Sequence, residues 1–286
     1  MPDSLPTPQL DHIVIHVPYA YLSSPPSWLT ELFTITPGGT HADGLTANAL
    51  VPFSDGTYLE LIAFTPEITA EQKRNHMWGG KPYGIIDWAL TLPKKDDQGN
   101  ASQYQILRKR WLDLPVPPKW KSSELRQGGR TKPDGTKLEW LIAFPPERGV
   151  TPFWCLDVTA RSHRVSSAID QITHPSGVQG IAEVSLNLPQ GGITSEIKPI
   201  LDAAVPQSED RVDDYTWSIG TPAPTENGPG KVYAHSARIR ITQESIAKDE
   251  TRLGVTELIF WTRDKGNSSV EATIDGDKVS FGFVTG

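Results

Sequence analysis

The sequence predicts an α+β protein made of repeated β-α-β-β-β units, and three observations carry that expectation. The nine-residue stretch "LDHIVIHVP" at Leu10–Pro18 recurs as "IIDWALTLP" at Ile85–Pro93 and as "IAEVSLNLP" at Ile181–Pro189. Each of the three precedes a segment of helical spacing. The later stretch "DGTYLELIAFTPE" is echoed by "DGTKLEWLIAFPPE".

The first unit opens on the strand "DHIVIHV" and continues into "SPPSWLTELF", where Ser24 can cap and Pro25 and Pro26 suit a first helical turn. Trp28, Leu29, Leu32 and Phe33 make its apolar face, and "GGTHADGLTANALVPF" with "DGTYLELIAFTPE" supply three strands. In the second unit, "ASQYQILRKRW" spaces Tyr104, Leu107 and Trp111 as a helix, before "PDGTKLEWLIAFPPE" and "PFWCLDV". The echo carries one inserted residue, so either Glu139 or Trp140 takes the place of Glu60; an insertion flips the following side chains unless a bulge absorbs it. A third unit begins at "IAEVSLNLP", passes a weak helical stretch at Ile193–Leu201 interrupted by Pro199, and ends on "GVTELIFWT", whose Glu257 echoes Glu60. Pro206–Lys231 reads as including a surface loop, and "EATIDGDKVSFGFVTG" as a final hairpin turning at Asp-Gly.

Composition narrows the function. The 286 residues carry 27 basic and 34 acidic side chains, a net charge of −7, with no basic run to track phosphates, so neither nucleic acid nor membrane is an expected partner. A single cysteine, Cys155, excludes an intramolecular disulfide, and with no signal-like N-terminus or apolar span the expected location is cytoplasmic. Serine-hydrolase elbows, Walker loops and dinucleotide fingerprints are missing, so no nucleotide cofactor is expected.

Alternation puts His12, Val14 and His16 on one strand face and Ile13, Ile15 and Val17 on the other, while Tyr58, Glu60, Ile62 and Phe64 share a face 48 residues later. A carboxylate among apolar neighbours is costly unless it is paired or binds a cation. An imidazole and a carboxylate converging in a curled sheet suit divalent zinc, iron, manganese or nickel. They equally suit a hydrogen-bonded core histidine and a salt-bridged glutamate.

"LDHIVIHVP", "GGTHADGLTANALVPFSDGTYLELIAF", "RTKPDGTKLEWLIAF", "TPFWCLDV" and "THPSGVQGIAEV" together resemble the glyoxalase-like domain group of the vicinal oxygen chelate superfamily, over about Leu10–Val184. The resemblance implies paired β-α-β-β-β modules whose curled mixed sheets enclose a pocket. The expected organisation is a glyoxalase-like domain of two modules over 9–160, a connecting segment at 161–178 and a third, divergent module at 179–286 that matches only through the strand echoes. By position, His12 and Glu60 match the metal ligands of one module. If the first unit pairs with the third, His12, Glu60, Glu183 and Glu257 form a one-imidazole, three-carboxylate metal site. If it pairs with the second, Asp87 and the ambiguous Glu139 or Trp140 leave the set incomplete. Pairing between chains, as a homodimer, stays open.

The expected function is a metal-assisted lyase or isomerase acting on a carbonyl-containing or cyclic metabolite. The alternatives are a non-catalytic binding protein and a metal-free enzyme using His12 or His41 as general base, with Glu60 in the catalytic set. Thr46 and Asn48 are candidates at the pocket mouth, and Arg130 can receive an anionic or carbonyl group. Trp88, Trp140, Phe153 and Trp154 can wall a planar ligand, and His174 can swing toward it, although strand aromatics also serve as core. Cys155, among apolar residues, reads as inert.

Overall fold

The two first echoes become the leading strands of two four-strand units. The computed structural model describes residues 6–93, 99–132, 134–188, 191–205, 213–222, 236–242, 253–263 and 266–285. The first unit contains β1 (Gln9–His16), α1 (Ser27–Thr30), β2 (Thr36–His41), β3 (Thr46–Pro52) and β4 (Tyr58–Phe64). After α2 (Ala70–Asn75), the second contains β5 (Gly84–Thr91), α3 (Gly99–Leu112), β6 (Arg126–Thr131), β7 (Lys137–Ala143) and β8 (Phe153–Asp157). In each, the leading strand lies parallel to the last, β1 with β4 and β5 with β8. Antiparallel pairing of β1 with β5 and of β2 with β6 joins the units into a closed barrel of order β1-β4-β3-β2-β6-β7-β8-β5. The first unit therefore pairs with the second, not the third.

The remaining elements are α4 (Arg161–Arg164), β9 (Val178–Asn187), α5 (Gly192–Ala204), β10 (Thr216–Ile219), β11 (Ala237–Thr242), β12 (Gly254–Thr262), β13 (Ser268–Ile274) and β14 (Asp277–Thr285). Their strands form a second sheet of order β10-β11-β9-β12-β14-β13. This order repeats the middle of the barrel: β9 pairs antiparallel with β12 as β1 does with β5, and β9∥β11 and β12∥β14 repeat β1∥β4 and β5∥β8. Each half lacks the outermost strand of a barrel unit, so among the described residues this sheet stays open. Two sequence expectations change accordingly. The strand of Glu257 begins a further half-unit rather than closing the third, and the echo "TKLEWLIAF" is β7, the counterpart of β3; the counterpart of β4 is β8.

Local chemistry departs from the sequence reading at two helices. Ser24 does not cap α1, which starts after Pro26 and runs for one turn. Helix α5 continues through Pro199, because Ile197, Ile200, Leu201, Ala203 and Ala204 bury its apolar face, and that packing outweighs the backbone hydrogen bond the proline removes. The last hairpin turns where expected, with Asp275 and Gly276 both at positive φ. The surface loop expected within Pro206–Lys231 falls largely outside the described residues. Among the described residues no helix is long and apolar enough to cross a membrane.

The core lies between barrel and open sheet. Ile13, Ile15, Leu59 and Leu61 point outward from the barrel and pack with Phe260 and Phe281 of the second sheet. The β3–β4 turn is fastened to β9: the Asp55 carboxylate accepts from the backbone and hydroxyl of Thr57 (2.8 and 2.7 Å) and from Ile181 N (3.2 Å). A Cβ at Gly180 would fall 2.1 Å from the Asp55 carboxylate, so the strand must carry glycine there.

Phe260 is fully buried against Phe33, Phe53, Phe281 and Phe283. Phe260→Ala is expected to lower unfolding free energy by about 3–5 kcal/mol in urea titration. Burial pushes the Asp55 carboxyl up to about 6, above its ordinary 3.8, so the folded state binds more protons between these values. The Asp55 contribution is therefore present below about pH 4 and lost as pH rises through 6, on the order of 3 kcal/mol. Unfolding free energy of wild type minus that of Asp55→Asn, measured across that window, should fall by this order.

Candidate functional site

The barrel encloses a cavity of about 280 Å³. Strand alternation aims His12 from β1 and Tyr58 and Glu60 from β4 into it, joined by His41 from β2 and Arg130 from β6. Trp78, Trp140, Phe144 and Phe153 face them as an aromatic wall. A cavity of this size suits a small metabolite.

His12 is fixed by its own neighbour. Register between β1 and β5 slips between Leu10 and His12, so Asp11 sits in a bulge, and Asp11 Oδ2 lies 2.7 Å from His12 Nδ1. Asp11 is fully buried. Arg161 and Arg164, one helical turn apart on α4, both pair with it, and Arg164 also donates to Tyr58 Oη (2.6 Å) and Asp157 Oδ1 (2.7 Å). Burial pushes Asp11 up, but Arg161, Arg164 and His12 outweigh it and hold the carboxyl well below its usual range. An ionised carboxylate only accepts, so His12 Nδ1 donates and Nε2 is left facing Glu60.

Glu60 Oε2 is 3.5 Å from His12 Nε2, and Glu60 Oε1 is 3.5 Å from His41 Nε2. Burial raises the Glu60 carboxyl, and the two imidazoles outweigh it, holding it well below the ordinary value. Burial likewise lowers His12, yet Asp11 and Glu60 prevail and raise it above 6.5. His41 Nδ1 lies 2.8 Å from Thr46 Oγ1. The Asn48 amide is used inside the protein: Nδ2 donates to Glu60 Oε1, and Oδ1 accepts from Gly39 N and from Arg130 Nη1. It is thus a spacer between Glu60 and Arg130 rather than a group free for a ligand. Burial lowers the Arg130 guanidinium, with Glu60 opposing.

Of the sequence candidates, His12, His41, Thr46, Asn48, Glu60, Arg130, Trp140 and Phe153 come together at the cavity. Others do not. Trp88 and Trp154 belong to the core outside it, Trp154 stacked on Trp111 of α3 at 5.7 Å. His174 is buried, its Nδ1 accepting from Thr34 N and its Nε2 donating to Pro52 O (both 3.0 Å), and burial lowers it to about 4. Those two bonds prevent any swing toward a ligand. Glu183 and Glu257 lie in the second sheet, with Glu183 accepting from Ser185 Oγ (3.0 Å), so the four expected metal ligands do not converge. Asp87 is taken by Trp78 Nε1 (2.8 Å) and Arg148 Nε (2.7 Å), and Glu139 is exposed beside Gln127. Where β8 answers β4, it offers Phe153 and Cys155, whose thiol burial pushes up. Among the described residues no group of three or more His, Cys, Asp or Glu is arranged to hold a metal ion. Sequence reasoning missed Asp11, because neighbours on a regular strand face opposite ways, and missed Arg161 and Arg164, whose i,i+3 spacing after β8 was the available signal.

A family described as a glyoxalase-like domain matches residues 10–198. A crystal structure of a hypothetical protein from Staphylococcus aureus aligns over 97% of this chain and 99% of its own, with 14% identity and a TM-score of 0.61, a likeness of fold. Methylmalonyl-CoA epimerase from Mycobacterium tuberculosis aligns over 56% of this chain and 93% of its own at 17% identity, TM-score 0.32. A glyoxalase I mutant from Zea mays aligns over 97% and 94% at 13%, TM-score 0.27. No curated protein matches.

The geometry makes His12 titration measurable without a substrate. By NMR, the His12 midpoint is expected above 6.5 in the wild type and lower in both Asp11→Asn and Glu60→Gln, since each removes a negative charge that favours the imidazolium.

Proposed function

The chain belongs to the glyoxalase-like domain family, and on that premise we propose that it is an enzyme that moves a proton on a carbonyl-containing or cyclic metabolite, as a lyase or isomerase of the cytoplasm. One observation supports this best: a cavity-facing imidazole whose tautomer is set by a buried carboxylate and whose second nitrogen faces another.

With Nδ1–H committed to Asp11, the neutral form of His12 carries its lone pair on Nε2, beside Glu60 in the cavity. A carbon acid beside a carbonyl gives its proton to Nε2, and the electron pair of the broken C–H bond moves onto the carbonyl oxygen as an enolate. Asp11 and Glu60 stabilise the imidazolium from both sides, and Arg130 stabilises the oxyanion. Return of the proton to a different carbon is isomerisation; expulsion of a β-substituent by the enolate is elimination. His41, with side-chain exposure of 19%, connects Glu60 to solvent for proton return.

The divalent metal that the family resemblance implies is not fitted by these residues: Glu183 and Glu257 are in the other sheet, and the second unit contributes Phe153 and Cys155. A second reading, ligand capture without turnover, draws on the aromatic wall of Trp78, Trp140, Phe144 and Phe153.

The test is deuterium incorporation from D₂O into a panel of 2-oxo acids, aldehydes and cyclic ketones, followed by NMR. Wild type should exchange at least one compound, His12→Gln should lose about 10²-fold or more, and chelator treatment or added zinc, iron, manganese or nickel should leave the rate unchanged. Binding without exchange in the wild type supports sequestration instead. Loss of exchange on chelation rejects the metal-free mechanism.

A further inference from the structure

We propose that the ligand of this cavity is a monoanion, a carboxylate or equivalent oxyanion on a small flat body, and that Arg130 receives its charge. The inference rests on the reading of the cavity as the reaction site and adds the chemical class of what enters it.

Three arginines are nearly completely buried: Arg130, Arg148 and Arg164. Arg148 faces the carboxylate of Asp87, and Arg164 faces those of Asp11 and Asp157. Arg130 is the exception. Among the described residues it has no carboxylate at ion-pair distance, and its hydrogen bond goes to the neutral Asn48 Oδ1. A buried guanidinium without a counter-charge is costly, and removing its hydration is offset only when an anion arrives.

The arrangement around it keeps that charge unmatched. Asn48 occupies the space between Arg130 and Glu60, donating to one and accepting from the other, while Glu60 is held by His12 and His41. A Cβ on Gly38 would come within 2.0 Å of Asn48 Oδ1 and 2.8 Å of Arg130 Nη1, so glycine gives the spacer its room. With Nη1 engaged, Nε and Nη2 have no hydrogen-bond partner among the described residues, and they offer the fork that a planar, two-oxygen acceptor matches. One unmatched guanidinium calls for one negative charge. Trp140 and Phe153 on the wall, and a volume of about 280 Å³, fit a flat body of modest size.

The experiment is isothermal titration calorimetry with two matched pairs: benzoate against benzamide, and phenylpyruvate against 4-phenyl-2-butanone. Wild type is expected to bind at least one carboxylate ten-fold or more tighter than its neutral partner. Arg130→Gln should abolish that preference, and Arg130→Lys should keep part of it. Without ligand, Arg130→Gln should melt no lower than wild type, because an unmatched buried charge is removed; a clear fall in melting temperature would assign Arg130 a structural role and overturn the proposal. A wild type without carboxylate preference, or a preference that survives Arg130→Gln, also overturns it. Glu60→Gln separates the two readings: carboxylate preference in a wild type that never exchanges deuterium leaves the anion site standing and removes the proton-transfer function, whereas Glu60-dependent exchange with no such preference removes only the anion site.

Discussion

The Asp11 carboxylate is the charge around which the barrel end is organised. With no exposure, it depends entirely on Arg161, Arg164 and His12 for compensation. The two arginines sit on α4, so a single ionised group joins β1 to that helix and, through Arg164, to Tyr58 on β4 and Asp157 on β8. Arg161 adds the Gly56 carbonyl at the β3–β4 turn. Breaking such a buried pair by removing one partner typically costs about 3–5 kcal/mol, which is a large part of a domain's net stability. The same carboxylate fixes the tautomer of His12. Stability and the chemical setting of the cavity thus share one group.

The repeats were legible because strand period and sequence echo report the same backbone units. His12, Glu60, His41 and Arg130 were readable as one-sided polar residues on otherwise apolar or turn-flanked strands, and the structure does bring them to one cavity. The echo misled at one place: "DGTKLEWLIAF" copies the letters of β4 but occupies the position of β3, because similarity of strands does not record their order within a unit. Glu139 and Trp140 on β7 therefore do not answer Glu60, and the strand that does answer β4 carries no glutamate. Which units pair was likewise outside the reach of periodicity, since it depends on edge strands finding each other across long separations.

Among the described residues, a barrel unit and its echo in the second sheet differ by a single strand. β2 and β6 meet to close the barrel, whereas β10 and β13 are the outer strands of the second sheet. Closure gives an interior in which desolvation strengthens every charge interaction, and there Glu60 and His12 shift each other's protonation. In the open sheet, Glu183 accepts from the Ser185 hydroxyl and lies 3.7 Å from the half-exposed Arg240. Two buried glutamates, Glu60 on the last strand of a barrel unit and Glu183 on a leading strand of the open sheet, thus have different surroundings.

Inside the barrel, polarity is divided rather than mixed. Asn48 stands between the anionic and the cationic side chain and satisfies both without letting them neutralise each other. A direct Glu60–Arg130 pair would bury two charges with their partners already found, and neither would have reason to engage a ligand. Keeping them apart leaves the carboxylate to govern the imidazoles and the guanidinium to face the cavity. A neutral amide at that position, with room left beside it by Gly38, allows a carboxylate paired with two imidazoles and a guanidinium to coexist in one cavity.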